Sequence, residues 1–111
     1  ILAEWGADYS DPDNLAKAFA DYTIRQLAWR NTWYNDYASN LTKEACSELD
    51  TVKRLEMYAE LTDYVLYNGP YAIFIQGVYQ YGVRTWVEGF YPDPTFFLMD
   101  FSEVYKEAVY E

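Results

Sequence analysis

The chain has 111 residues, 18 acidic and 8 basic, a net charge of −10, no histidine and one cysteine, Cys46. It lacks a basic stripe able to displace counterions from phosphates, which argues against nucleic acid and anionic membrane surfaces as partners. A single cysteine excludes an internal disulfide, and the missing histidine removes the commonest general base and metal ligand.

The length suits one domain with one modest core. A hydrophobic content of 51% argues against disorder. Aromatic residues reach 21%, with 13 Tyr and 4 Trp. Such side chains, apolar in body and polar at the tip, suit ligand surfaces and interfaces as well as cores. No apolar run approaches the ~20 residues that a membrane-spanning helix needs.

In chain order, Ile1 to Ala7 reads as a strand ending at Gly6, which brings Trp5 and Asp8 to its end. Asp11-Pro12-Asp13-Asn14 spells a turn, because Pro fixes φ and Asp and Asn bond to nearby backbone. That turn can cap a short helix over Leu15 to Phe19, with Asp13 near its start. From Ala20 to Trp33, Ile24, Leu27 and Ala28 stand at helical spacing, but Thr and Asn interrupt them and the segment stays ambiguous.

Asn35 reads as the N-cap of a helix carrying Tyr37, Leu41, Ala45 and Leu49 on one stripe. Asp50 starts a second helix with Val52, Leu55, Tyr58, Leu61 or Thr62, and Val65 at helical steps; Asn68-Gly69-Pro70 ends it, glycine suiting a left-handed C-terminal position. The tight connection at Asp50 implies an αα-hairpin with both stripes turned to a common partner.

Tyr71 to Ile75 is a continuous apolar run of strand length and reads as a buried strand. Val78 to Val87 reads as a second extended segment, with glycines at 77 and 82, and Gly89 to Pro94 as a loop. Val104 to Tyr110 suits an edge strand or a terminal helix. The order gives an α+β class, with a helical hairpin packed on a mixed sheet.

Asp8 beside the Trp5 indole can meet a ligand cation, although an Asp here can equally start the turn before Pro12. Trp5 can stack on a ligand or fill the core. Asp8, Asp11 and Asp13 lack the alternation, central Gly and terminal Glu of a calcium loop, so no metal ligand is assigned. Glu4 and Asp8 form a poor glycosidase pair, since nothing marks one of them as the acid. No catalytic residue is assigned.

Elsewhere, Arg84 beside Trp86 can form a cation–π pair, bind a ligand carboxylate, or stand as a solvated strand charge. Tyr79, Tyr81 and Tyr91 can line a cleft or form a packed face. Cys46 belongs in or beside the helix interface, and Asn40-Leu41-Thr42 matches a glycosylation acceptor inside a predicted helix.

These residues in their order resemble the C-terminal part of extracellular solute-binding proteins of family 5, the oligopeptide- and dipeptide-binding components of ABC importers. Trp5-Gly6-Ala7-Asp8-Tyr9 followed by Asp11-Pro12-Asp13-Asn14 resembles the family's Trp-x-x-Asp-Tyr segment and Pro-Asp-Asn-type turn. Asn35-Asp36-Tyr37 with Leu41 and Ala45 resembles its penultimate helix, and Asp50 to Tyr58 its Asp, basic pair, Leu-x-x-Tyr helix. Pro70 to Phe74, Tyr81 to Arg84 and Val87-Glu88-Gly89-Phe90 resemble its closing strand and Val-x-Gly-Phe loop. Tyr22 to Trp33 follows no such pattern, and the tail from Phe96 matches loosely.

The resemblance implies a partial domain over residues 1–111, part of a two-lobe, periplasmic-binding-protein-like fold that closes on its ligand about a hinge. It implies peptide capture without catalysis, no cofactor, delivery to an ABC permease, and a periplasmic or extracellular location, with a membrane-attached lipoprotein compatible. Asp8 would pair with the ligand α-ammonium, and Trp5, the Gly6 and Ala7 backbone, and Tyr9 would line the same wall. Two alternatives stay open: an oligosaccharide-binding member of the family, or a stand-alone aromatic-rich carbohydrate-binding or interaction module. A piece cut from such a fold is expected to expose apolar surface and to self-associate by exchange of a strand or helix.

Overall fold

The main helices each begin at a side chain that accepts an otherwise unsatisfied backbone N–H. The computed structural model describes residues 4–78, 80–92 and 101–106. Helix α1, Pro12–Ala20, opens on Asp11, whose carboxylate accepts from the Asp13 amide, with Pro12 at the first helical position. After a 3-10 turn over Tyr22–Ile24 and the single-turn α2, Leu27–Arg30, come α3, Asp36–Ser47, and α4, Thr51–Asn68. Asn35 caps α3 through the Ala38 amide, and Asp50 caps α4 through the amides of Val52 and Lys53.

The ambiguous stretch before Trp33 cannot run as one helix, because Arg25 and Thr32 adopt left-handed φ values of 59° and 55° on either side of α2. The expected end of α4 is found, but for a different reason. Gly69 has φ −77°, and a Cβ there would lie 2.4 Å from the Val65 carbonyl oxygen, which its amide bonds at 2.8 Å.

Helices α3 and α4 form the expected hairpin, and the chain is mostly helical with a small antiparallel sheet, a mixed α+β composition. The hairpin's partner is α1, however; no mixed sheet lies beneath it among the described residues. The core joins Ala38, Leu41 and Ala45 of α3, Tyr58, Leu61 and Val65 of α4, and Ala20 of α1. The buried positions of α1 and α3 are mostly small: Ala18 and Ala20, and Ala38, Ser39, Thr42 and Ala45. Tyr37, Leu49, Val52 and Leu55, expected on the buried stripes, are exposed. Leu49 lies past the end of α3, and the first turns of α4 direct Arg54 toward the other helices.

Arg54 binds both oxygens of Asp11 at 3.0 and 2.7 Å, donates its Nε–H to the Ala45 carbonyl at 3.1 Å, and lies 5.0 Å from the Tyr58 ring centroid. One planar fork thus joins the start of α1 to both arms of the hairpin. The Arg54 hydrogen bonds hold the Asp11 carboxyl down at about 2, against an ordinary value of 3.8. At the other end of α1, the buried Asp21 carboxylate accepts from Ser39 of α3 and from the Thr23 amide and hydroxyl. Burial opposes its charge, but these bonds and the nearby Lys43 outweigh it and lower its pKa.

Tyr71 is tied to the helical core, its hydroxyl donating to the Phe19 carbonyl at 3.0 Å. The buried strand expected over Tyr71 to Ile75 is not formed: Ile73, Phe74 and Ile75 are 64, 79 and 84% exposed. A continuous apolar run becomes a buried strand only when both of its faces are covered, and no described residue covers them. Among the described residues of the extended segment from Val78, the ladder begins at β1, Val87–Glu88, which pairs antiparallel with β2, Tyr105–Lys106.

Gly89 follows β1 at φ +73°, where a Cβ would meet the Glu103 carbonyl oxygen at 1.9 Å. The edge-strand reading of Val104 to Tyr110 holds at Tyr105–Lys106. Val104 is described outside the strand, while residues 107–110, like Ile1 to Ala3, Tyr79, Asp93, Pro94 and Phe96, lie outside the described residues. The radius of gyration, 18.6 Å, exceeds the roughly 13 Å of a compact chain this long, as an extended arm requires.

Leu61→Ala, at a site 3% exposed, is expected to cost about 2–4 kcal/mol in urea unfolding of dilute protein, and Ile75→Ala less than about 0.5 kcal/mol. Equal losses would contradict the division between core and arm. In acid, Asp11 and Asp21 have folded pKa values below their unfolded ones, so their stabilisation is complete above about pH 4 and fades as the pH falls, for Asp11 through about 2. Arg54→Gln is expected to flatten that acid limb of the stability profile; an unaltered limb would exclude Arg54 as the cause of the Asp11 shift.

Candidate functional site

The pinned start of α1 fixes the segment before it. The Asp11 amide donates to the Tyr9 carbonyl at 3.0 Å, and the Asp8 amide to the Asn14 side-chain oxygen at 3.2 Å, folding residues 8–11 back over the first turn of α1. Glu4 to Ala7 form no strand, which corrects the expectation that Asp8 stands at a strand end. The turn chemistry of Asp11 and Asn14 places Asp8 instead.

Trp5 meets Phe19 edge-on at 6.3 Å, Phe19 meets Tyr71 at 5.1 Å, and Tyr71 meets Trp33 at 6.2 Å. The indole therefore belongs to an aromatic chain across α1 and the root of the arm, yet stays 37% exposed. The packing role considered from the sequence is present in the Phe19 contact, and part of the ring is left open to solvent.

Trp5, Asp8 and Tyr9 line one cleft of about 230 Å³, completed by Asn14, Lys17, Ile24 and Gln26. Gly6 and Ala7 do not line it; Gly6 is exposed and Ala7 half-buried. The Asp8 carboxylate is exposed and has no hydrogen-bond or ionic partner among the described residues. Lys17 is engaged with Asp13 one helical turn away, and that bond raises its pKa and keeps it charged. The cleft therefore offers one unpaired carboxylate, one compensated ammonium, two aromatic rings and two side-chain amides. Those groups can recognise a cation attached to an apolar or ring-bearing body.

Asn14, Lys17, Ile24 and Gln26 were not marked by the sequence. Asn14 and Lys17 follow once α1 starts at Pro12, whereas Ile24 and Gln26 reach the cleft through the 3-10 turn and the left-handed Arg25, which no periodicity reveals.

A larger depression of about 600 Å³ lies at the α3–α4 corner, between Lys43, Leu49, Lys53 and Met57. It is more open than the Asp8 cleft, and its cations are already engaged, Lys53 with Glu48 and Lys43 with Asp21. We therefore place the candidate site at Asp8. No group of three His, Cys, Asp or Glu suited to a metal occurs among the described residues. Arg84 does stack on Trp86, 5.0 Å from the ring centroid, remote in sequence from this cleft.

Tyr71 links the aromatic chain to solution pH. Burial pushes its hydroxyl up to about 12, so the stabilisation is complete below about pH 10 and is lost as the pH rises through 12. Tyr71→Phe is expected to remove that alkaline loss while costing about 1 kcal/mol at neutral pH through the lost bond to Phe19. An alkaline limb unchanged in the variant would contradict the assignment.

No protein-family model matches the chain, and no curated protein and no solved structure shows significant similarity to it.

Proposed function

We propose that the chain supplies one wall of a non-catalytic solute-capture protein of the two-lobe, periplasmic-binding-protein-like type. In this reading it takes up peptides outside the cytoplasm and passes them to an ABC permease. The observation that carries the proposal is the unpaired Asp8 carboxylate, set beside the exposed edges of Trp5 and Tyr9 in one cleft. A ligand α-ammonium would pair with Asp8, and the first side chain of the peptide would lie against the rings. The backbone of Gly6 and Ala7 would contribute from the rim.

The cleft, at about 230 Å³, is small for a whole oligopeptide and suits an amino terminus with one side chain. The opposing wall would come from a second lobe, and closure of that lobe would exclude water and strengthen the ion pair. A net charge of −10 would attract a cationic terminus at long range, weakly at physiological salt. The exposed Trp5 and Tyr9 rings favour one alternative, stacking on the sugar rings of an oligosaccharide, which would need no unpaired carboxylate.

Calorimetry on the protein carrying both lobes separates these readings. Peptides with a free amino terminus are expected to bind, and Asp8→Asn to weaken them about 10- to 100-fold, as loss of a charge-assisted bond implies. N-acetylated peptides should show the same loss and no further response to Asp8→Asn. Unchanged peptide affinity in Asp8→Asn would remove Asp8 from the site, and binding of cello- or xylo-oligosaccharides alone would replace the peptide reading.

A further inference from the structure

Gln26 enters the Asp8 cleft with its side chain uncommitted. It follows the left-handed Arg25 and stands at the N-cap of α2, yet its side chain caps no amide of that helix. Ser, Thr, Asp and Asn are the residues that cap from that position, and the longer glutamine lines the cleft instead. It is half-buried, and its side-chain amide meets no partner among the described residues. Its polar neighbours are partly spent. Asn14 accepts from the Asp8 amide through its side-chain oxygen, and Lys17 is held by Asp13. Gln26 thus keeps a carbonyl acceptor and an NH2 donor for whatever enters.

The rest of the cleft says what Gln26 would meet. Asp8 selects a cation, and Trp5 and Tyr9 select an apolar or ring-bearing body. Two classes of molecule satisfy those groups alone: a simple amine, and an amino-terminal residue in peptide linkage. They differ at the carbon that bears the ammonium, where the peptide carries an amide and the amine does not. In a cleft of about 230 Å³, an ammonium at Asp8 brings that amide into the small volume that Gln26 also lines. An amide entering there gives up bonds to water, and Gln26 can replace one of them. A trans peptide bond points its C=O and N–H in opposite directions, so one side-chain amide satisfies one of the two.

We infer that Gln26 is a specificity residue of this cleft: it holds the first peptide bond of the ligand by one hydrogen bond and so favours peptides over simple amines. Its amide serves whichever edge the ligand turns inward, donating to the carbonyl or accepting from the N–H. The bond is neutral and half-exposed, so it sets a preference of about 2- to 10-fold and leaves most of the affinity to Asp8 and the rings. This inference rests on the capture reading, because it needs an ammonium at Asp8.

Titration of the 111-residue chain with two small probes, followed by nuclear magnetic resonance, tests it. N-Methyl-L-phenylalaninamide carries the ammonium, the ring and one secondary amide, whereas phenethylamine carries the ammonium and the ring alone. At about pH 5.5 both are cationic. The amide probe is expected to bind about 2- to 10-fold more tightly and to displace the side-chain NH2 resonances of Gln26, which the amine leaves in place. In Gln26→Met, which keeps the length and removes both polar groups, the two probes should bind alike. Asp8→Asn should weaken both and keep the preference for the amide. Equal binding of the probes to the native chain, with Asp8→Asn still weakening both, overturns the Gln26 assignment and leaves the capture reading standing. So does a preference that survives Gln26→Met. Binding that ignores Asp8→Asn, or no binding of either probe, overturns the capture reading and this inference together.

Discussion

The bidentate contact between Arg54 and Asp11 is the constraint on which the start of α1, and with it the candidate cleft, depends. Helix α1 brings little large apolar surface to the hairpin; its fully buried positions are the alanines Ala18 and Ala20. Its placement therefore leans on polar contacts at both ends. Arg54 holds its N-cap carboxylate, the Asp21 carboxylate takes the Ser39 hydroxyl at its C-cap, and the Phe19 carbonyl takes the Tyr71 hydroxyl. Asp11 serves twice, capping its own helix and receiving the guanidinium, so one residue sets both where α1 begins and what it docks against.

The candidate cleft inherits this arrangement. Asp8 is placed by Asn14, Asn14 by the start of α1, and that start by Asp11 and Arg54. The carboxylates here divide by partner. Asp11 and Asp21 are spent on holding helices, and Asp13 on Lys17, whereas Asp8 is left open at the mouth of the cleft. In a chain this acidic the count of carboxylates says little about a site; what marks Asp8 is its place beside Trp5 and Tyr9 in one cleft.

Local chemistry was legible in the sequence. Asn35 and Asp50 cap the helices they were read to cap, because capping depends on a few adjacent residues. Gly69-Pro70 ends α4 where expected, although glycine is required there by a carbonyl contact and not by a left-handed turn. Asp11 was read as turn chemistry, while Asp13 was placed at the helix start; both fit the pattern, and the Arg54 bridge that singles out Asp11 spans 43 residues of sequence.

The failures share one cause. Tyr71 to Ile75 has the composition of a buried strand, but burial belongs to the surroundings as much as to the segment, and the described residues supply no cover. Leu49, Val52 and Leu55 fit a helical stripe on paper and lie outside because the hairpin turns Arg54 inward at that level. The Asp8–Trp5–Tyr9 grouping was legible as a motif, whereas Ile24 and Gln26 join it through an irregular turn. The most direct test of the dependence on Arg54 is the amide spectrum of Arg54→Gln by nuclear magnetic resonance. The account predicts displaced resonances from Trp5 through Asn14 with those of Leu41, Leu61 and Val65 nearly unmoved. Changes confined to the neighbours of Arg54 on α4, with Asp8 and Asn14 untouched, would contradict it.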